Sequence, residues 1–229
     1  YNGLPVRVSL FGGLSIQIGG QMIKDSSSRG YQLWSLLEYL IAFRHRTIPP
    51  EEIYAALWED SPVDNPASAL KNLVYRIRTL LLGYEIPFAK SIILYCDGTY
   101  QWNNDIPCVV DTEEFEALHL KAGNSTLPTE LRIDYYLRAI GLYTGDFLAD
   151  SAPKSWITPV RGYYKSLYFQ CVCQVLQLLH TLSRYPEMEA IARQALTVDR
   201  HHEAVHRYML LSLIAQGDGK QASEHYRQA

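Results

Sequence analysis

The chain has 229 residues, of which 48% are hydrophobic and 20% charged, a length that suits two small domains or one large one. That composition excludes a chain that is disordered, collagenous or coiled-coil from end to end. Twenty-one basic residues against 24 acidic ones leave a net charge of −3, so nothing global marks a nucleic-acid or membrane partner and any such partner must be met by a local patch.

The start, Tyr1-Asn2-Gly3-Leu4-Pro5, has no basic segment followed by an apolar one, and a cytoplasmic protein is expected. Val6, Val8 and Leu10 alternate with Arg7 and Ser9, and after Gly12-Gly13 the residues Leu14, Ile16 and Ile18 alternate with Ser15 and Gln17. This period of two predicts a small antiparallel meander with one buried face. A polar Ser26-Ser27-Ser28 cap then precedes residues 30–44, where Leu33, Leu36, Leu37, Leu40 and Ile41 recur at helical spacing. A second, short helix follows Pro49-Pro50, with Glu51 and Glu52 in the first turn, where the helix dipole favours them. A third begins in the turn-rich stretch 60–66 and runs to about Leu82, with Gly83 as its stop. Residues 92–96 and 99–102 are then joined across Asp97-Gly98, the strongest hairpin signal in the chain.

From Asp111 the strand signal ends, and helices are predicted at 112–122, 129–143, 155–183, 187–198, 203–216 and 219–229. The longest run without a charge, 166–183, contains Gln, Ser, His and Thr and does not supply the ~20 apolar residues of a membrane span. Cys171 and Cys173 lie within it at a spacing that is wrong for a CxxC pair. In a helix they point ~200° apart, so reduced thiols packed as small apolar residues are expected. Arg193-Gln194-Ala195 recurs 34 residues on as Arg227-Gln228-Ala229, with Gly217 and Gly219 in the intervening turn. A 34-residue helix-turn-helix period is that of tetratricopeptide repeats. The pattern stops at Ala229 inside a unit, so the repeats are expected to continue in a longer protein.

Three helices followed by a hairpin is the plan of a winged helix-turn-helix, in which the third helix enters the DNA major groove and the hairpin forms the wing. In the third helix Leu70, Leu73, Val74, Ile77, Leu80 and Leu81 share one arc, the buried stripe. The opposite face carries Ser68, Lys71, Asn72, Tyr75 and Thr79, flanked by Arg76 and Arg78. Three cations, no acid and an Asn able to pair with adenine meet the needs of phosphate neutralisation and base reading. Charge on an exposed helix face is also the default for any amphipathic helix, so periodicity alone leaves the solvated-face reading open.

A resemblance bears on that choice. Leu57-Trp58, Asn65-Pro66-Ala67-Ser68-Ala69-Leu70 and Val74-Tyr75-Arg76-Ile77-Arg78 resemble the core of the SARP-type bacterial regulators, whose DNA-binding domain is an OmpR-like winged helix, and Asp97 to Trp102 is similar to the end of their wing. Leu142 to Leu148, Glu203-Ala204-Val205-His206-Arg207, Gln216-Gly217 and residues 222–226 resemble the partner module, the bacterial transcriptional activator domain. The resemblance implies an α+β winged helix-turn-helix domain over 1–105, followed over 106–229 by an all-α, tetratricopeptide-like domain truncated at its C-terminus. It implies transcription regulation, with double-stranded DNA and RNA polymerase as partners, a homodimer at least on DNA, and neither enzyme activity nor cofactor. The residues expected on DNA are Ser68, Lys71, Asn72, Tyr75, Arg76, Arg78, Thr79 and Lys90. Two departures stand beside this. The wing, 94–102, has no Lys or Arg, so Lys90 is its nearest cation, and residues 1–105 hold 9 basic and 10 acidic residues.

Two alternatives remain. Those departures suit a protein-interaction scaffold with a winged helix that no longer binds DNA. His202-Glu203-Ala204-Val205-His206 also matches the H-E-x-x-H of zinc hydrolases, with Glu203 as base and Glu224 as a third ligand. Against a metal site, the motif falls in a repeat-like helix, where the activator-domain pattern itself places Glu203 and His206-Arg207.

Overall fold

The computed structural model describes residues 5–23, 30–59 and 62–228; the Ser26–Ser28 cap, Ser61 and Ala229 lie outside them. The chain forms two compact units. One comprises Tyr1–Asp111 and Phe147–Val160, the other Thr112–Asp146 and Arg161–Ala229.

In the first unit, β1 (Val6–Ser9) pairs antiparallel with β2 (Ser15–Ile18), and β2 with the two-residue β3 (Gln21–Met22). Val6, Val8, Ile16 and Ile18 are buried, as their alternation requires. Three helices follow, α1 (Tyr31–Ala42), α2 (Pro50–Leu57) and α3 (Pro66–Gly83), and α1 packs on both of the others. Pro49 and Pro50 start α2, Pro50 because a first-turn residue has no intrahelical partner for its missing N–H. Gly83 is still helical; the left-handed residue beyond it is Glu85, at φ 57°, and the Ile86 N–H closes on the Leu81 carbonyl at 3.1 Å. The hairpin is β4 (Ile93–Cys96) with β5 (Thr99–Trp102). Asp97 and Gly98 both have positive φ, 48° and 77°, which gives the turn a twist that matches the strands. Ile48 adds a bridge to Tyr100, with hydrogen bonds of 2.8 and 2.9 Å.

The expected boundary between 105 and 106 differs from this division in two places. Cys108–Val110 forms β6, which pairs parallel with β1 and makes the sheet order β3-β2-β1-β6. The Asp111 carboxylate after it accepts from the Leu10 and Phe11 N–H groups at 2.9–3.1 Å. Residues 147–160 also belong to the first unit. Phe147 bridges Phe11, Leu148 N–H donates to the Leu10 carbonyl at 2.7 Å, and Trp156 meets Tyr39 of α1 edge-on at 5.1 Å.

The second unit is helical. It takes in α4 (Asp111–Ala122) from Thr112, α5 (Thr129–Leu142), α6 (Ile157–Thr181) from Arg161, α7 (Tyr185–Val198), α8 (Glu203–Ala215) and α9 (Gly219–Gln228). Phe115, Ile133, Tyr136, Tyr168, Val172 and Leu176 are buried between the first three. Ala192 and Ala195 let α7 approach α8 closely, and α9 packs on α8 in turn. Met188 in α7 and Ala222 in α9, 34 residues apart, are both buried; the second copy of the Arg193-Gln194-Ala195 repeat ends at Ala229, outside the described residues. Cys171 is buried, Cys173 half-buried, and both are free thiols. No helix of the described residues is long and apolar enough to cross a membrane.

Candidate nucleic-acid interface

The face of α3 is set by its start and by its stripe. Asn65 caps the helix, accepting the Ser68 N–H at 3.0 Å, and Pro66 sits where a missing N–H costs nothing. Leu70, Leu73, Val74, Ile77 and Leu81 are buried and Leu80 is half-buried. That packing turns Ser68, Lys71, Asn72, Tyr75 and Thr79 outward, and all five are exposed, Tyr75 to 66%. The helix contains no Asp or Glu anywhere in its 18 residues. Thr79 donates its hydroxyl to the Tyr75 carbonyl at 3.0 Å, which ties its hydrogen to the helix and leaves the oxygen as acceptor. Arg76 is half-buried on the flank, and Lys90 is exposed in the connection to β4.

Arg78 takes another course. Its Nη2 donates to the Ile93 carbonyl of β4 at 2.8 Å, while its Nε is buried without a hydrogen-bond partner. The side chain fastens α3 to the β4–β5 hairpin instead of extending from the exposed face. With Lys71, Val74, Tyr75, Tyr95 and Tyr100 it lines a small cavity of about 220 Å³. Tyr95 was not among the expected site residues. It is 55% exposed on β4 and its ring lies 4.7 Å from that of Tyr100; strand alternation puts it on the same face as buried Ile93, opposite Tyr100, so periodicity offered no signal for its exposure.

Two other cations of this unit, Arg44 and Arg46, are engaged within the protein. Arg44 is buried and donates to the Asn104 side chain and the Cys108 carbonyl at 3.3 and 3.4 Å. Arg46 pairs with Glu52, which also accepts from the Tyr39 hydroxyl. The guanidinium holds the Glu52 carboxyl down at about 2, while burial and then Glu52 push the Tyr39 phenol up to about 12.

The zinc-motif residues are not arranged as a metal pair. His202 precedes α8 as its N-cap, with Nδ1 accepting the Val205 N–H at 3.4 Å and its ring stacked 4.1 Å from that of Phe169. The two histidines therefore do not share a helical face. His206 faces the Arg200 carbonyl through Nε2 at 2.7 Å and His225 Nε2 through Nδ1 at 2.9 Å. Among the described residues no group of three or more His, Cys, Asp or Glu is placed to hold a metal ion.

A winged helix-turn-helix unit followed by a helical-repeat unit is the build of the SARP-type bacterial transcriptional regulators, and comparison with known proteins bears the resemblance out. Residues 110–229 match the family described as BTAD, bacterial transcriptional activator domain; that is more than half of the chain, and the chain belongs to this family. Among solved structures it is similar to Mycobacterium tuberculosis EmbR in complex with a low-affinity phosphopeptide, with 17% identity and a TM-score of 0.77 over 99% of this chain. At that identity the likeness is one of fold. The chain spans 59% of the EmbR chain. No curated protein matched the sequence.

Proposed function

We propose that this chain is a sequence-specific DNA-binding regulator that activates transcription, reading promoter DNA with α3 and bracing it with the β4–β5 wing. The observation that carries the reading is the exposed, acid-free face of α3, where Lys71, Asn72 and Tyr75 stand outward beside the wing. Lys71 and Arg76 supply phosphate or guanine contacts, Asn72 an adenine contact, Ser68 and Tyr75 hydroxyl donors, and Lys90 the cation nearest the wing. With so few cations on the face a single copy neutralises few phosphates, and pairing through the helical unit raises affinity by making the second contact intramolecular. The reading thus includes a homodimer on two half-sites about one helical turn apart, with the helical unit also meeting RNA polymerase.

The test is DNA selected from a random pool, titrated at several salt concentrations. Lys71→Ala should weaken binding by ~1–3 kcal/mol and lower the log–log salt slope by about 0.9. Unchanged affinity and slope would favour the second reading, an interaction scaffold. The engaged Arg78 and the cation-free wing support that alternative.

A further inference from the structure

The helical unit contains a cleft that its own packing does not explain. A cavity of about 720 Å³ opens between α4, α5 and α6 and the turn before α8, within the range of small-molecule sites. One stripe of α6 lines it: Gly162, Lys165, Ser166, Phe169, Gln170, Cys173 and Gln174. Their spacing of three and four is that of a single helical face. Ser166, Gln170 and Gln174 are exposed and Lys165 half-buried, while Phe169 is buried, so the face offers an ammonium, a hydroxyl and two amides beside one aromatic ring.

The charges in the cleft are unlike those of the chain. Arg132 and Lys165 face a single acid, Asp199, in a protein whose net charge is −3. Arg132 is fixed in place, its Nε donating to the Ala122 carbonyl at 2.8 Å and its guanidinium hydrogen-bonded to the Tyr136 hydroxyl. A guanidinium held this way meets an anion with little further loss of freedom. Two histidines line the same cleft. Burial holds His119 below the usual histidine range, and its Nδ1 lies 3.3 Å from the Cys171 sulfur. His202 accepts a backbone N–H at Nδ1, so in its neutral form Nε2 carries the hydrogen and is a donor. Its ring, stacked on Phe169 at an interplanar angle of 15°, provides a flat apolar wall.

Gly162 lies at the open end of the same stripe. It sits inside the helical run of α6, where glycine costs roughly 0.5–1 kcal/mol relative to alanine. A Cβ built there meets nothing within 4 Å, so no neighbouring protein atom requires the glycine. It is exposed on the lining of the cleft, where a long side chain would project into the open volume.

From these we propose that the cleft lined by Arg132, Lys165, Gly162, Phe169 and His202 is a binding site for a small organic anion with a planar apolar body. The acidic group sits between Arg132 and Lys165, the planar part lies along Phe169 and His202, and Gln170, Gln174 and Ser166 supply neutral hydrogen bonds. The site lies wholly within the helical unit and stands whether or not α3 binds DNA.

The probe is 8-anilinonaphthalene-1-sulfonate, a planar aromatic anion, titrated by fluorescence against the whole chain, with the uncharged N-phenyl-1-naphthylamine in parallel. The anion should bind saturably, and the neutral analogue about tenfold or more weakly. Lys165→Glu should weaken the anion by about tenfold or more. Gly162→Leu fills the cleft and should weaken it by about tenfold while leaving the thermal midpoint equal or higher, because leucine favours helix over glycine. That pairing of lost binding with kept stability separates a filled site from a damaged fold. No saturable binding below ~1 mM, equal binding of the neutral analogue, or affinity within about twofold of wild type in both variants would overturn the proposal.

Discussion

Replacing Arg78 with alanine separates a cation that holds the fold from one that meets DNA. The structure gives Arg78 a hydrogen bond from Nη2 to the Ile93 carbonyl at 2.8 Å, and bonds to charged groups contribute ~1.5–3 kcal/mol. Its Nε is buried without a partner, which offsets part of that gain, and the aliphatic stem packed in the small cavity at the wing is lost as well. Arg78→Ala is therefore expected to destabilise the first unit by about 1–3 kcal/mol, whereas the exposed Lys71→Ala should stay within about 0.5 kcal/mol. The assay is unusually selective, because all four tryptophans, Trp34, Trp58, Trp102 and Trp156, belong to the first unit. Urea unfolding followed by tryptophan fluorescence reports that unit alone. On DNA, Arg78→Ala should lower affinity without lowering the salt slope, since no phosphate contact disappears. If the unfolding midpoint is unchanged and the slope falls by about 0.9, Arg78 is a free phosphate-binding cation and the reasoning fails.

Two further predictions concern pH. Arg46 depresses the Glu52 carboxyl to about 2 from 4.5, so the pair contributes stability that is present above the unfolded value and lost as pH falls from 4.5 towards 2. Screening at this largely exposed site keeps the contribution to about 1 kcal/mol or less, and Glu52→Gln should flatten that acid limb of the tryptophan-detected stability curve; an unchanged limb would refute it. At the α8–α9 contact, burial, then His206 and Arg193, hold His225 below its usual 6.5. A carbonyl only accepts, so neutral His206 donates Nε2–H to Arg200 and takes the His225 Nε2–H at Nδ1. This contact should be intact above 6.5 and lose stability as pH falls below it, seen as faster amide exchange in α9 that His225→Gln makes independent of pH; wild-type exchange that does not change across this range, beyond its intrinsic rate, would contradict it.

What was legible in the sequence was what repeats over a short distance. The stripe Leu70, Leu73, Val74, Ile77 and Leu81 is buried as its period requires, and the Asp97-Gly98 turn has the two positive φ values that its residue types favour. Each answer lay within a few residues. The strand Cys108–Val110 is too short to display alternation, and its partner β1 lies about a hundred residues away. Parallel pairing leaves no turn to read. Arg78 escaped for a different reason. A position on the flank of a helix lets a long side chain reach either solvent or a neighbouring strand, and only the placement of β4 decides which. The anion cleft was invisible because its lining comes from α4, α5, α6 and the α7–α8 turn, and no single helix shows the concavity.

Residues 147–160 bear most on how α3 is supported. The family match begins at residue 110 and includes them, yet in the fold they complete the first unit. Their contacts converge on α1 and on the end of α2. Ser151 donates its hydroxyl to Glu38, a buried carboxyl that burial raises above its usual range; Trp156 packs on Tyr39; and the Ser155 N–H donates to Glu59 at 3.1 Å. α1 in turn is the surface on which α3 packs. A cut at residue 105 removes the parallel strand beside β1, the carboxylate that accepts from Leu10 and Phe11, and the Ser151 hydroxyl that bonds Glu38. Their loss should reach α3 through α1, so a fragment ending at 105 is expected to melt below the whole first unit, and one that keeps Lys71, Asn72 and Tyr75 in place should extend through β6 and Asp111 and include residues 147–160.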